Sequence, residues 1–300
     1  MEINLLSFIP LITQNKIFST EAALKYFLIQ ALASICLLAS IIVKLNFSLE
    51  RFSPSTTIMG AALFSKLGAA PFHIWFPGVM EGLDWRCNIT LITWQKIGPF
   101  ILLSYLNIPL LFTIFVTLAS VTSGAVGGFN QTSLRKLIAY SSINHLGWLT
   151  RALLLGVNFW ALYFVIYTLL RITVVLSFLL FNLNHLNQTF LLNTNKLIKL
   201  VIALNIFSLG GLPPFLGFYP KWILIHKLIN LQLSIIVYII VLASLITLYF
   251  YLRVAFAGVL LTHIEPKSLF KTLGPIAPLF ILSSFTLAGL ITRPFLFTLM

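Results

Sequence analysis

The chain has 300 residues, of which 59% are hydrophobic and only 8% are charged, and its mean hydropathy is +1.03. In a soluble domain about a quarter of all residues are charged, so this composition excludes a water-soluble fold. The formal net charge of +13 does not indicate nucleic acid as a partner, because the lysines and arginines stand singly between apolar runs and suit membrane topology and intramembrane sites.

The apolar runs predict an all-α polytopic membrane helix bundle with about ten transmembrane helices. A helical span needs about 20 mostly apolar residues, and backbone groups in lipid must bond within their own segment. In chain order the predicted spans are 1–14, 22–45, 56–77, 88–106, 109–128, 134–156, 158–182, 197–230, 232–255 and 272–298. We expect them to form a single transmembrane domain over residues 1–300, in which the first span is short.

Two of these spans contain residues that break helices. The span 197–230 is too long for one crossing and holds six residues that disfavour helix: Gly210, Gly211, Pro213, Pro214, Gly217 and Pro220. A milder break is expected at residues 68–71. In transporters such discontinuous helices mark ion pathways, because the freed carbonyls must face protein or a wet cavity.

The basic residues are divided unevenly between the two sides of the predicted bundle. Counted together with the adjoining ends of the spans, the odd-numbered gaps hold ten, including Lys136, whereas the even-numbered gaps and the C-terminus hold five, including Arg151. By the positive-inside rule the odd gaps lie on the side where synthesis occurs. Three lysines remain inside or beside spans as candidate sites: Lys66, Lys96 and Lys221.

Lys66 and Lys96 lie near the middle of successive spans, where a lysine costs roughly 3 kcal/mol or more. Removal of water makes the proton of a lysine easier to release, which suits a proton carrier. Lys221 directly follows the predicted break and has the surroundings of an ion gate. The alternative for all three is a lysine that extends its ammonium to the membrane surface.

His73 and His145 are further candidates, because an imidazole can relay protons near neutral pH. His73 follows Lys66 by seven residues and could share its helix face if the helix continued through Pro71. His145 lies mid-span beside serines and an asparagine that could hold water. Both could instead be core histidines bonded to the backbone.

Glu2 and Arg171 are less informative by position alone. Glu2 is either an ordinary glutamate at the start of the chain or a functional carboxylate, and Arg171 is expected to serve helix packing. Cys36 and Cys87 have no metal-binding spacing. Since there is also no phosphate-binding glycine loop and no dinucleotide fingerprint, no cofactor or metal is expected in this chain.

Four segments carry a resemblance to a known family: KLGAAPFHIWFP, LITWQKIGP, GGFNQTSLRKLIAYSSINHLGW and GGLPPFLGFYPKW. In this order they resemble the antiporter-like subunits of the membrane arm of mitochondrial NADH:ubiquinone oxidoreductase, respiratory complex I, in the arthropod form. The resemblance spans nearly the whole chain. It also implies that family members carry one more apolar helix before the segment MEINLLSFIPL.

The resemblance assigns roles to individual residues. It implies that Lys66 is the channel lysine on a discontinuous helix, Lys96 the bridging lysine of the following helix, and Lys221 the lysine beside the second broken helix. His73 matches a histidine of the hydrophilic axis. Glu2 matches the glutamate that pairs with the channel lysine.

The function implied is proton translocation coupled to electron transfer from NADH to ubiquinone, in a multi-pass protein of the mitochondrial inner membrane. NADH, FMN, iron–sulfur clusters and ubiquinone are then expected on other subunits. Expected partners are the other membrane-arm subunits, accessory subunits and lipids including cardiolipin. A free-standing sodium/proton antiporter and a purely structural scaffold are the alternatives; the first would work without partners, and the second would tolerate loss of the buried lysines.

Overall fold

The computed structural model describes residues 2–13, 17–47, 54–190, 196–260 and 277–287. Within these ranges the chain is helical apart from turns, short connections and one isolated β-bridge between Ser133 and His185. The predicted all-α class is confirmed.

The helices are defined as follows, in chain order: α1 (Glu2–Ile12), α2 (Ile17–Phe47), α3 (Pro54–Leu67), α4 (Trp75–Gly82), α5 (Trp85–Ile92), α6 (Trp94–Tyr105), α7 (Leu110–Gly128), α8 (Leu134–Leu155), α9 (Val157–Leu180), α10 (Leu186–Phe190), α11 (Lys196–Gly210), α12 (Phe218–Asn230), α13 (Ser234–Leu260) and α14 (Ala277–Leu287).

Among the described residues, four stretches of continuous helix are long and apolar enough to cross a membrane: Ile17–Asn46, Leu110–Gly128, Val157–Leu180 and Ser234–Phe256. Helix α8 has 22 residues, about 33 Å of helix, but its polar strip lowers its hydropathy. A total of about ten crossings requires the pairs α3/α4, α5/α6 and α11/α12 to count as one crossing each, and this number stays a prediction.

Both expected helix breaks are confirmed. Helix α3 ends at Leu67, and Gly68 follows with a φ of +74°, a conformation that glycine adopts without the clash a Cβ would cause. Helix α11 ends at Gly210, and Gly211 has a φ of +81°. The chain resumes helix at Trp75 in the first case and at Phe218 in the second.

A third break was not expected, and the prediction of one continuous helix over 88–106 is wrong. Thr93 separates α5 from α6, with φ −104° and ψ −73°. Its hydroxyl donates to the carbonyl of Ile89 at 2.7 Å, and such side-chain bonds to the preceding turn bend helices. The break lies three residues before Lys96.

The connections between helices gather at two ends of the bundle. At one end, which we call the odd face, Lys136 pairs with Glu81 at 2.7 Å and Arg135 donates to the side chain of Asn184 at 2.8 Å. These contacts join the α4–α5, α7–α8 and α9–α10 connections. The α6–α7 and α8–α9 connections form the opposite end, the even face. The odd-numbered gaps seen here therefore share one side, as the sequence predicts.

Helix α8 forms the centre of the bundle. Its residues 141–152 are all buried, and α7 packs closely against it because a Cβ on Gly124 would lie 2.6 Å from the backbone nitrogen of Asn144. The polar strip of α8 is consequently enclosed by α7, α9 and the second broken helix.

Candidate functional site

Lys96 is enclosed by aromatic residues. Its ammonium donates to the hydroxyl of Tyr167 on α9 at 3.3 Å and lies 5.4 Å from the centre of that ring. It also lies 5.3 Å from the ring centre of Phe76, the second residue of α4 after the first break. An aromatic face attracts a cation, so these rings partly replace the water that Lys96 has lost.

His145 occupies the middle of α8 and contacts the same group of tyrosines. Its Nδ1 lies 2.9 Å from the hydroxyl of Tyr163, and its ring centre is 5.2 Å from that of Tyr167. The ring also forms a hydrogen bond with the backbone of Leu209, in the last turn of α11. His145 therefore links α9 to the second break.

Lys221 on α12 reaches back across the second break. Its ammonium donates to the carbonyl of Gly210 at 2.8 Å and lies 5.9 Å from the centre of the Trp148 ring. In a continuous helix that carbonyl would accept from residue 214, but Pro214 has no N–H. The break thus supplies the acceptor that holds Lys221.

These groups form a nearly continuous line across the bundle, which we call the polar chain: Lys96, Tyr167, Tyr163, His145 and Lys221. The carbonyls that join His145 and Lys221 belong to neighbouring residues, Leu209 and Gly210. Amines, imidazoles and hydroxyls can all accept and release protons. The polar chain is therefore chemically able to pass protons within the bundle.

Lys66 lies at the end of α3, next to the first break. The side chains of Lys66, Lys96 and Lys221 are only 9%, 2% and 6% exposed, which confirms that all three point into the bundle. The carbonyl of Lys66 accepts from the amide of Gln30 at 3.1 Å. Helix α3 ends one residue after Lys66, and Gly68 follows. Lys66 therefore lies directly before the first break, as the sequence predicts.

Glu2 begins α1, but its side chain lies outside the described part of the chain, so the predicted pair with Lys66 stays a prediction. The backbone of α1 nevertheless lies beside the site. Asn4 donates to the side chain of Gln95 at 3.1 Å, one residue before Lys96.

His73 does not continue the helix of Lys66. Helix α3 ends at Leu67, so the seven-residue spacing no longer corresponds to two turns. His73 is half-buried in the connection, between the exposed residues Phe72 and Ile74, and it bonds to the backbone of Pro71. The condition for a common helix face, a helix that continues through Pro71, is therefore not met.

Sequence reasoning assigns no role to Tyr163 and Tyr167 and only a packing role to Arg171. The Arg171 guanidinium lies 5.1 Å from the ring centre of Tyr167 and donates to Ser141 at 2.8 Å, so this arginine borders the polar chain. The sequence does contain a signal for this group: Tyr163, Tyr167 and Arg171 are four residues apart on α9 and share one helix face.

Arg151 is the residue whose position the sequence predicts least well. It was counted among the basic residues of a surface gap, yet it is 0% exposed. Among the described residues no carboxylate pairs with Lys96, Arg151 or Lys221, since Glu21 and Glu81 are exposed and Asp84 is half-buried at the odd face. A buried charge without a carboxylate partner is costly, which favours function over packing.

Comparison with known proteins first defines the class. Residues 1–247 match the family described as NADH:quinone oxidoreductase/Mrp antiporter, TM. A chain of respiratory complex I from Thermus thermophilus has a similar fold, with a TM-score of 0.85 and 24% identity over 96% of this chain and 71% of that one. A chain of the Mrp complex from Dietzia has a TM-score of 0.78 and 17% identity over 93% and 67%. The protein is thus an antiporter-like membrane subunit.

Curated relatives then identify the particular family. The chain is 49% identical to NADH-ubiquinone oxidoreductase chain 2 of Anopheles gambiae, over 88% of this chain and 79% of the relative. It is 39% identical to the protein of the same name from Squalus acanthias, over 100% of this chain and 90% of the relative. The chain belongs to the NADH-ubiquinone oxidoreductase chain 2 family, which confirms the resemblance drawn from the four sequence segments.

Proposed function

We infer that this chain is the antiporter-like, proton-translocating subunit of the membrane arm of respiratory complex I, as a multi-pass protein of the mitochondrial inner membrane. It is part of an enzyme, the proton-translocating NADH:ubiquinone oxidoreductase. The observation that carries the inference is the polar chain, a series of buried proton-binding groups that extends from Lys96, after the break at Thr93, to Lys221 at the second break. A line of this kind inside a membrane serves ion or proton movement.

The proposed path begins at Lys66 and passes through Lys96, Tyr167, Tyr163 and His145 to Lys221. We propose that Glu2 pairs with Lys66 and that redox chemistry elsewhere in the complex alternately strengthens and weakens this pair. A nearby carboxylate favours the charged form of lysine, so its approach loads Lys66 and its withdrawal unloads it. His73 is proposed to relay protons at the first break.

The cofactors of the oxidoreductase are expected on its other subunits. We propose that this chain, as a single transmembrane domain, binds neither NADH, FMN, an iron–sulfur cluster nor ubiquinone, since it lacks the corresponding motifs. Its partners are other complex I subunits. Accessory subunits and lipids such as cardiolipin are further proposed partners.

A free-standing sodium/proton antiporter is not favoured. The chain shares its fold with an Mrp complex chain, but the curated relatives reported above are all named as a chain of NADH-ubiquinone oxidoreductase. We therefore expect the chain to co-purify with other complex I subunits after extraction in mild detergent, whereas an antiporter would remain active alone.

Lys66→Met tests the proposed function. The substitution keeps an unbranched stem and removes the ammonium, so the complex should assemble while NADH-driven proton uptake into sealed vesicles falls. Lys44→Met is the control, because Lys44 is exposed near the end of α2. Normal proton uptake per NADH in the Lys66→Met enzyme would refute the function proposed for this residue.

A further inference from the structure

A cavity of about 550 Å³ lies beside the centre of the bundle, between the end of α6, the start of α7 and the end of α8. Its mouth includes Asn107 and Leu110, which are exposed at the even face. Its inner wall includes Thr113 and Thr150, which are 4% and 2% exposed. The cavity therefore leads from the even face toward the interior, and it is lined partly by hydroxyl groups.

Arg151 lies immediately behind the inner wall. It follows Thr150 on α8, and its partner Thr117 is one helical turn beyond Thr113 on α7. The Nε and Nη2 groups of Arg151 donate to the Thr117 hydroxyl at 3.2 and 2.7 Å, so these hydrogen bonds close the space between the two helices. His145 of the polar chain is six residues away on α8, about 9 Å along the axis.

The guanidinium of Arg151 is not fully satisfied by the described residues. Its Nη1 is buried and has no hydrogen-bond partner among them. The hydrogen bonds that this side chain makes to described residues cross to α7 rather than reaching the carbonyls at the end of α8. A polar group left unpaired in a dry interior is costly, so this N–H group favours an acceptor such as water close to Arg151, near the inner end of the cavity.

We propose that the cavity is an aqueous vestibule for protons at the even face and that Arg151, held by Thr117, is the fixed positive charge that closes its inner end. The inference rests on the proposed function. A guanidinium stays charged under all working conditions, and a fixed positive charge in a narrow pore excludes protons and cations. Arg151 is thus a positioning residue that prevents protons from leaking between the polar chain and the even face.

Thiol labelling tests the vestibule without any measurement of pumping. In intact complex with Cys36 and Cys87 replaced by serine, Thr113→Cys and Thr150→Cys should react with a membrane-impermeant, negatively charged sulfonatoethyl methanethiosulfonate applied at the even face, and not at the odd face. Ser120→Cys is the matched control. It lies on α7 on the inner side of Thr117, is 0% exposed, and should stay unreactive from both faces.

Passive proton conductance tests the role of Arg151. In sealed vesicles without NADH, Arg151→Met should leak protons severalfold faster than the unsubstituted complex. Thr117→Val should leak to a lesser degree, since it retains the charge but not its acceptor. The proton conductance of the Thr117→Val complex also tests the barrier if the Arg151→Met complex fails to assemble.

The outcomes separate the vestibule from the pump. Labelling of Thr113→Cys only from the odd face, or equal labelling of Ser120→Cys, would overturn the vestibule. Tight vesicles with both Arg151→Met and Thr117→Val would overturn the barrier. Neither result depends on NADH-driven pumping, so a failure of the proposed proton path at Lys66 would be recognised separately.

Discussion

Replacement of Lys96 by methionine isolates the role of its charge, because the side chain is 2% exposed and contacts the rings of Phe76 and Tyr167. Lys96→Met keeps an unbranched side chain of similar length that can fill the same space between α4, α6 and α9. It removes the hydrogen bond to Tyr167 and the contacts with the rings of Phe76 and Tyr167. It also removes the cost of keeping an ammonium away from water.

The opposing contributions nearly cancel. The hydrogen bond is worth about 1 kcal/mol, and each cation–π contact about 0.5–2 kcal/mol, so the loss amounts to roughly 2–5 kcal/mol. The effective penalty for a buried ion is itself several kcal/mol. We expect the free energy of unfolding to change by no more than about 2 kcal/mol, and the complex to assemble.

Proton translocation should nevertheless fail, since methionine cannot bind a proton. The assay compares NADH oxidation with proton uptake into sealed vesicles, and native electrophoresis measures assembly. Lys227→Met is the control, because Lys227 also contacts an aromatic ring, at 5.6 Å from the centre of Phe159, but is exposed. An assembled Lys96→Met enzyme with a normal proton yield would refute the reasoning.

Three further predictions concern the second break, the tyrosines and the topology. Gly217→Ala should lower the free energy of unfolding by at least about 1–3 kcal/mol, and with it the thermal stability of the complex, because the new Cβ would meet the carbonyl of Ser208. Gly78→Ala is the control and should not lower it, because a Cβ on Gly78 would have no atom within 4 Å. Tyr163→Phe removes the hydroxyl that contacts His145 and should slow proton uptake about fivefold, the equivalent of ~1 kcal/mol. Tyr249→Phe should have no effect, because Tyr249 is exposed and stacks on Phe129 away from the polar chain. Lys136→Cys should react with an impermeant thiol reagent only from the matrix side, and reaction only from the intermembrane space would reverse the topology.

The helix breaks show where sequence reasoning succeeds. Gly210, Gly211 and Pro214 oppose helix through their own backbones, so the second break is visible without any knowledge of neighbours. The break at Thr93 is different. A threonine is compatible with a continuous helix, and the interruption appears only once its hydroxyl bonds the carbonyl of Ile89.

The site was predictable to the extent that its residues are rare in membranes. Lys66, Lys96 and Lys221 are conspicuous because a charge within a span is costly. Tyr163 and Tyr167 are not, because a tyrosine suits both a lipid interface and a core. Arg151 lies one turn from the end of its helix, and only the close packing of α7 shows that it is covered rather than exposed.

The central claim is that protons bind to and leave this chain, and Lys66→Arg tests it most directly. Arginine retains the positive charge but holds its proton almost irreversibly. If Lys66 is a proton carrier, the assembled Lys66→Arg complex should lose its proton yield per NADH as severely as Lys66→Met. A Lys66→Arg complex with a normal proton yield would show that position 66 requires only a fixed charge, and it would contradict the proposed path.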